Sequence, residues 1–137
     1  MPAKQFFDTN ILVYAFAAND PRSARAESLL AEGGAIGVQV LNEFTNVARR
    51  KLRWQWSQIE ASLAVIADLL SPVAPLTAAI HARAVALARD HELSVFDALI
   101  VAAALDAGCQ LLFSEDLQDG QRFGALTVEN PFRRPPA

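Results

Sequence analysis

The sequence predicts an α/β fold in which helices cover both faces of a mainly parallel sheet. Short apolar stretches of strand length alternate with longer segments of helical periodicity, an order that is typical of parallel sheets. Apolar residues make up 53% of the 137 positions, which is enough to build a core at this length. The length also suits one domain, which we predict to span residues 1–137 with residues 130–137 as a tail.

The predicted strands are short and apolar. The first, "QFFD", reads as a buried strand that leads directly into a helix, and "QLLFS" has the same character late in the chain. Pro72 and Pro75 bracket an extended piece around Val73. The predicted strands are residues 5–8, 35–38, the piece around 73, 110–114 and 126–128.

The predicted helices begin at capping residues or end at glycines. Thr9 or Asn10 is predicted to cap the first helix, and Ser94 the last. Ser57 and Glu60, three residues apart, have the spacing of a capping box. The predicted helices are residues 9–18, 21–33, 40–52, 57–70, 77–91 and 94–107.

The composition is that of a soluble protein of a reducing compartment, and we expect it in the cytoplasm, away from membranes. No apolar run is as long as a membrane span, and the start of the chain has no pattern of a secretory signal. Cys109 is the single cysteine, so an internal disulfide and a cysteine-based metal site are both excluded. The formal net charge of −3 argues weakly against binding of phosphates.

Four acids occupy positions where a charge is unexpected. Asp8 ends the first predicted strand and Asp116 follows another, at the carboxyl ends where parallel sheets collect their ligands. Glu43 lies on the apolar face of its helix, and Asp97 is the only polar residue in its helix between residues 95 and 105. A carboxylate in an apolar place costs several kcal/mol unless it is paired or binds a metal.

Each acid by itself also has an ordinary structural explanation. Asp8 could cap the following helix, and Asp97 completes the pattern Ser-x-x-Asp in a first helical turn. Glu43 could be a surface acid, and Asp116 a turn residue. All four together favour a shared cation, because the basic residues cluster elsewhere in the sequence. Oxygen ligands alone select a hard ion such as Mg²⁺ or Mn²⁺ over zinc.

Four stretches resemble the acidic motifs of the PIN-domain nucleases: "FFDTNILVYA", "VLNEF", "SVFDALIVAAA" and "LLFSEDL". They occur in the family's order and span nearly the whole chain, and the length resembles the VapC-type toxins of bacterial toxin–antitoxin pairs. The resemblance implies a three-layer α/β/α sandwich with the acids gathered at one end. The catalytic and metal-binding acids that it implies are Asp8, Glu43, Asp97 and Asp116. The supporting polar residues are Thr9, Asn10 and Ser114.

The resemblance also implies an activity and partners. The activity is endonucleolytic hydrolysis of RNA by metal-activated water, leaving 5′-phosphate and 3′-hydroxyl ends. The partners are an RNA substrate, a second copy of the chain and a cognate antitoxin that directs a basic side chain at the acids. Alanine-rich helices near residues 82–88 and 102–104 add slight support for a homodimer.

The segment "ARRKLRWQW", residues 48–56, interleaves basic residues with two tryptophans. Such a segment can bind phosphates and stack a base. It can also be a helix end with favourable positive charge and tryptophans in the core. The candidate RNA contacts are Arg49, Arg50, Lys51 and Arg53. We leave Asp119 outside the predicted site, as a residue of the Gly120 turn.

Two other functions compete with a nuclease. A Mg²⁺-dependent phosphoryl-transfer or receiver-like domain also places acids at strand ends. However, Asn10 stands where haloacid-type phosphatases have a second Asp, and no lysine follows Lys51, whereas receivers need one late in the chain. A non-catalytic binding module on the same fold is disfavoured by the presence of all four acids. Metal-dependent cleavage of RNA separates these alternatives.

Overall fold

The computed structural model describes residues 5–133, so residues 134–137 of the predicted tail lie outside the described part. The helices are α1 (Thr9–Phe16), α2 (Ser23–Ala31), α3 (Val38–Arg50), α4 (Trp56–Leu69), α5 (Ala78–His91) and α6 (Val95–Asp106). The strands are β1 (Gln5–Phe7), β2 (Ile36–Gly37), β3 (Val73–Ala74), β4 (Leu111–Phe113), β5 (Arg122–Phe123) and β6 (Leu126–Glu129).

The sheet is mainly parallel, as predicted. Strands β1, β4 and β6 are parallel neighbours, and β5 adds to β6 as an antiparallel edge strand. The parallel pair β2 and β3 continues the sheet beyond β1 through a bridge between Phe6 and Ala35. Helices enclose the sheet in a three-layer α/β/α sandwich. Phe6, Phe7 and Leu112 are fully buried in its centre.

Two helix starts differ from the prediction. Asp8, not Thr9 or Asn10, caps α1, and its Oδ1 accepts a hydrogen bond from the Thr9 N–H at 2.7 Å. Thr9 cannot be the cap because its hydroxyl is directed to another helix, as described below. Helix α4 begins before the predicted box, because Gln55 already ends the extended chain and its N–H donates to Gln58 Oε1 at 3.0 Å. The Ser94 cap of α6 is confirmed.

Smaller differences concern the starts of α2 and α3 and one short strand. Helix α3 begins two residues earlier than predicted, at Val38, because the strand before it ends at Gly37. Helix α2 begins at Ser23, and Pro21 lies in the turn before it. Strand β5 was not predicted. It has two residues, too few for a periodicity, and turns at Gly124 with φ +60°.

Alanines of the predicted small-residue helices pack within the chain. Ala84 of α5 and Ala98 and Ala102 of α6 are buried together between these two helices. These alanines are therefore explained by the α5–α6 contact and carry no argument for a homodimer. No helix within residues 5–133 combines the length and apolar character that crossing a membrane requires.

Candidate metal centre

The carboxyl ends of β1 and β4 bring Asp8 next to Ser114. The two strands are parallel neighbours, and the Asp8 N–H donates to the Phe113 carbonyl at 3.0 Å. Asp8 is buried, with 3% of its surface exposed, and Ser114 is fully buried. The Ser114 hydroxyl donates to Asp8 Oδ2 at 2.7 Å. One carboxylate oxygen thus contacts the residue that follows β4, while the other caps α1.

Asp8 remains electrostatically strained despite these two hydrogen bonds. Burial is the main cause that raises the pKa of its carboxyl group from 3.8 to about 7. The hydrogen bonds from Ser114 and Thr9 oppose this shift, while the nearby carboxylates of Asp116 and Glu43 add to it. Asp8 therefore lies within electrostatic reach of two of the other predicted site acids, and a positive charge would lower its pKa.

Glu43 reaches the same place from α3. Its Oε2 accepts a hydrogen bond from the Thr9 hydroxyl at 2.9 Å, and its Oε1 accepts one from Gln39 Nε2 at 3.4 Å. Thr9 follows Asp8 directly in sequence, so one residue links Asp8 to the Glu43 carboxylate. Glu43 is half-buried, which agrees with its predicted position on an apolar helix face.

Asp97 and Asp116 complete the group. Burial raises the pKa of the half-buried Asp97, the charge of Asp116 raises it further, and a hydrogen bond with Ser94 opposes both. Asp116 is more exposed, and its N–H donates to the Ser114 hydroxyl at 3.2 Å. Ser114 therefore bonds to Asp8 and to the backbone of Asp116. We refer to Asp8, Glu43, Asp97 and Asp116 as the acid cluster.

No basic side chain within residues 5–133 forms an ion pair with the acid cluster. The arginines that pair do so with other acids: Arg22 with Asp20 and Glu115, Arg89 with Asp90, and Arg133 with Asp119. The repulsion between the four carboxylates is therefore uncompensated in the described part of the chain. This agrees with the expectation that Lys and Arg lie elsewhere.

The acid cluster suits a hydrated hard cation better than a closed ligand cage. Across residues 5–133, no three His, Cys, Asp or Glu side chains converge closely enough to hold a metal ion by themselves. Mg²⁺, however, keeps several waters and takes only one or two protein carboxylates together with substrate phosphate oxygens. The donors are all oxygens, and Asp8 has lone pairs left beyond its two hydrogen bonds. The residues fit Mg²⁺ or Mn²⁺.

Asn10 has an unsatisfied polar side chain two residues from Asp8. Both its Oδ1 and its Nδ2 are buried and have no hydrogen-bond partner in the described part of the chain. Buried amides are nearly always hydrogen-bonded, to protein or to an ordered water. The unpaired amide of Asn10 agrees with a site that holds ordered water. Asn10 was predicted as a supporting polar residue.

An ion-pair network that no sequence pattern indicated lies beside the acid cluster. The Arg22 guanidinium lies 3.7 Å from the centre of the Tyr14 ring, and its Nη1 donates to the Tyr14 hydroxyl at 2.8 Å and to Glu115 at 3.2 Å. The Tyr14 hydroxyl donates to Glu115. Burial, together with Glu115, raises the Tyr14 pKa to about 12. Glu115 directly precedes Asp116, so the network fixes the residue next to the acid cluster.

The predicted RNA contacts lie at the C-terminal end of α3 and, for Arg53, just beyond it. Arg49 and Arg50 are the last basic residues of the helix, and Lys51 is its C-cap. The Arg49 guanidinium lies 5.0 Å from the centre of the Trp56 ring, and its Nη1 donates to the Trp54 carbonyl at 3.0 Å. Trp56 is 52% exposed, whereas Trp54 is half-buried and packs edge-on against Phe44 in the core. The alternative of tryptophans in the core thus holds for Trp54, whereas Trp56 lies at the surface beside Arg49.

Comparisons with known proteins agree with this architecture. The PIN-domain family model matches residues 6–120. The fold is shared with a toxin–antitoxin complex from Klebsiella pneumoniae (TM-score 0.72, 22% identity, 95% of this chain and 99% of that chain). It is also shared with Mycobacterium tuberculosis VapC20, a sarcin-ricin loop cleaving toxin (TM-score 0.68, 23% identity, 82% and 91%). A third structure is VapBC2 from Rickettsia felis bound to a DNA fragment from their promoter (TM-score 0.66, 22% identity, 91% and 96%). No curated protein sequence matches the chain.

Proposed function

Because the chain belongs to the PIN-domain family, we propose that it is a metal-dependent endoribonuclease and the toxin of a toxin–antitoxin pair. The observation that carries the proposal is the acid cluster itself. Four carboxylates from separate segments of the chain lie close enough to affect one another's charge. No lysine or arginine side chain within residues 5–133 forms an ion pair with them. The proposal treats residues 1–137 as one catalytic domain.

The cofactor in this proposal is Mg²⁺ or Mn²⁺, held by the carboxylates of the acid cluster. When bound, the cation would lower the pKa of a coordinated water and neutralise the charge on the scissile phosphate. Asp8 is the central ligand because it is buried and held from two sides by Thr9 and Ser114. Glu43 is oriented by the Thr9 hydroxyl, so it can accept a proton from an attacking water or hold the cation.

The polar residues around the acids act as positioning groups. The Ser114 hydroxyl ties Asp8 to the loop that bears Asp116, so these two acids keep a fixed separation. Ser94 holds the first turn of α6 by accepting from the Asp97 N–H at 3.1 Å. Such supporting hydrogen bonds restrict the orientation of ligands and tune the affinity for a metal.

The proposed partners are a cognate antitoxin and a second copy of this chain. The Klebsiella pneumoniae and Rickettsia felis structures that share the fold contain toxin–antitoxin or VapBC assemblies, which supports an antitoxin here. The antitoxin would place a basic side chain against the acid cluster and so replace the cation's charge. A purified chain that stays monomeric at micromolar concentration would exclude the homodimer.

The test of the function is cleavage of a panel of single-stranded RNAs after complete removal of metal. We expect no cleavage in EDTA and recovery with Mg²⁺ or Mn²⁺, whereas Ca²⁺ should support cleavage poorly because it prefers more ligands at longer distances. Undiminished cleavage in verified EDTA would overturn the metal mechanism. A phosphoryl-transfer domain would leave RNA intact and label an aspartate, and a binding module would retain RNA without cutting it.

A further inference from the structure

A polar groove runs along α3 from the acid cluster to the basic end of the helix. Near the acid cluster the surface depression is lined by Gln39, Asn42, Glu43, Asn46 and Phe96. Farther along the helix, a second depression is lined by Asn42, Thr45, Asn46, Arg49, Arg50 and Trp56. Because Asn42 and Asn46 line both, the two depressions form one continuous surface, which we call the α3 groove.

An exposed aromatic ring stands at each end of the α3 groove. Phe96 is 58% exposed and directly precedes Asp97, and Trp56 is 52% exposed beneath the Arg49 guanidinium. Single exposed aromatic residues are common and need no explanation. Two rings at opposite ends of one polar groove, each next to a charged group, are suited to stacking the bases of a flexible strand.

The charge of the groove changes sign along its length. Arg49, Arg50 and Arg53 line a depression at the far end, and none of them pairs with an acid within residues 5–133. Arg50 lies seven residues beyond Glu43, so the basic end is about 10 Å from the acid cluster along the helix axis. The arginines can hold one phosphate of a strand while another lies at the acid cluster with its cation.

Two free amides lie between the aromatic rings. Asn42 and Asn46 are exposed and form no side-chain hydrogen bond in the described part of the chain, unlike Gln39, which is bonded to Glu43. An amide offers both a donor and an acceptor, which is the pattern that reads the edge of a base. Only an unpaired strand exposes base edges and stacking faces together.

We propose that the α3 groove binds single-stranded RNA, with bases stacked on Phe96 and Trp56. Asn42 and Asn46 then hydrogen-bond to the base edges between the two rings and determine the sequence that is cleaved. The inference deepens the proposed nuclease function and rests on it for the cleavage. The binding itself is measurable without any cleavage, so the two can fail separately.

The first experiment measures tryptophan fluorescence, because the chain has two tryptophans and only Trp56 faces the groove. Oligouridylate is added with Ca²⁺ in place of Mg²⁺, and gel analysis verifies that it stays intact. Single-stranded RNA should quench the emission of Trp54→Phe, which retains Trp56, and leave that of Trp56→Phe unchanged. A duplex of equal length should quench weakly. If Trp54→Phe does not fold, the difference between the wild type and Trp56→Phe gives the same signal.

The second experiment maps cleavage sites on a randomised single-stranded RNA in Mg²⁺. Asn42→Ala and Asn46→Ala should relax the base preference at one position each, whereas Gln110→Ala, an exposed amide at the start of the β4 segment, should keep the wild-type pattern. Trp56→Ala should weaken RNA binding about tenfold, a typical cost of losing one stacked base. Arg50→Ala, which removes a basic group of the α3 groove, should also weaken RNA binding. Its matched control is Arg83→Ala, on the exposed surface of α5, which should bind like the wild type.

The outcomes separate the groove from the nuclease. Quenching of Trp56 without any cleavage would refute the nuclease and leave the groove as an RNA site. Cleavage with an unchanged pattern in both asparagine variants, and with no quenching, would overturn the groove. If Trp56→Ala instead converts a dimer into a monomer, or if only an added protein quenches Trp56, the surface is a protein interface and the RNA assignment is wrong.

Discussion

Two groups of acids in this protein differ in how their charge is compensated. Asp20, Glu115 and Asp119 each contact an arginine, whereas the acid cluster has no basic partner within residues 5–133. Hydrogen bonds lower the pKa of Asp20 and Asp119, and burial raises the pKa of Asp8 and Asp97. Arg22 pairs with Glu115 but not with the adjacent Asp116. Carboxylates that repel one another and have no basic partner thus meet at one edge of the sheet, where a cation can supply the missing positive charge.

The largest loss of activity is expected from neutralising an acid that has no basic partner. Asp8→Asn and Asp97→Asn should each lower the rate of RNA cleavage by roughly a hundredfold or more, since even outer-shell partners of a metal are worth up to about that much. The folded state should persist, as judged by circular dichroism and thermal melting. Asp90→Asn, which neutralises an exposed acid paired with Arg89, is the matched control and should retain full activity. Full cleavage by folded Asp8→Asn would remove Asp8 from the site.

Neutralising Asp8 should also stabilise the metal-free protein. Its pKa is about 7 when folded and near 3.8 when exposed, so the folded state binds the proton more tightly. The contribution of Asp8 to the stability of the folded state is therefore largest below pH 4 and is lost as the pH rises through 7. In EDTA at pH 8, Asp8→Asn should therefore have a higher melting temperature than the wild type. Its free energy of unfolding should be higher by at most about 4 kcal/mol, since one pKa unit corresponds to about 1.4 kcal/mol.

The pH series distinguishes this effect from a general change in stability. The advantage of Asp8→Asn should disappear near pH 4, and Mg²⁺ should restore the wild type at pH 8 by compensating the buried charge. Asp68→Asn, on the exposed surface of α4, should show neither trend. Parallel pH profiles for Asp8→Asn and the wild type would mean that Asp8 is not strained by burial.

Breaking the compensated group should have a smaller, indirect effect. Arg22→Gln removes the contacts of Arg22 with Glu115 and Tyr14, so the loop that bears Asp116 should become less well positioned. We expect about a tenfold lower rate of cleavage and a higher Mg²⁺ concentration for half-maximal activity, in line with the loss of a supporting contact. Arg25→Gln, an exposed arginine on α2, is the control.

The Mg²⁺ titration decides whether Arg22 positions the acid or only stabilises the fold. A structural role alone would lower the melting temperature without moving the Mg²⁺ dependence at a temperature where the variant is folded. Arg22→Lys should restore the charge but not the two-pronged contact with Asp20, and should therefore recover only part of the activity.

The features that follow from strand ends were predictable, and those that join distant segments were not. "QFFD" and "QLLFS" identify Asp8 and Ser114 because short apolar runs and the polar residues that end them can be recognised in a sequence. The contact of Arg22 with Glu115 spans 93 positions and depends on how two loops meet, which no local pattern encodes. For the cap of α1, Thr9 or Asn10 was predicted, and Asp8 was considered as a cap only as an alternative to a metal ligand. Asp8 caps the helix through Oδ1 and keeps free lone pairs, so the two explanations of Asp8 do not exclude each other.

The smallest effect is expected at Asp119, only three positions beyond Asp116. Its Oδ1 accepts from the Asn130 N–H at 2.7 Å and its Oδ2 contacts Arg133 at 2.9 Å, so its charge is already compensated. Asp119→Asn keeps an oxygen for the Asn130 N–H and loses only a partly exposed ion pair, a kind of contact that contributes little. Cleavage should stay within about twofold of the wild type, whereas Asp116→Asn should be inactive. The ratio of the cleavage rates of Asp119→Asn and the wild type should be the same in low and in high salt. A loss at Asp119 as large as that at Asp116 would mean that proximity to the loop, and not lack of a partner, identifies the functional acids.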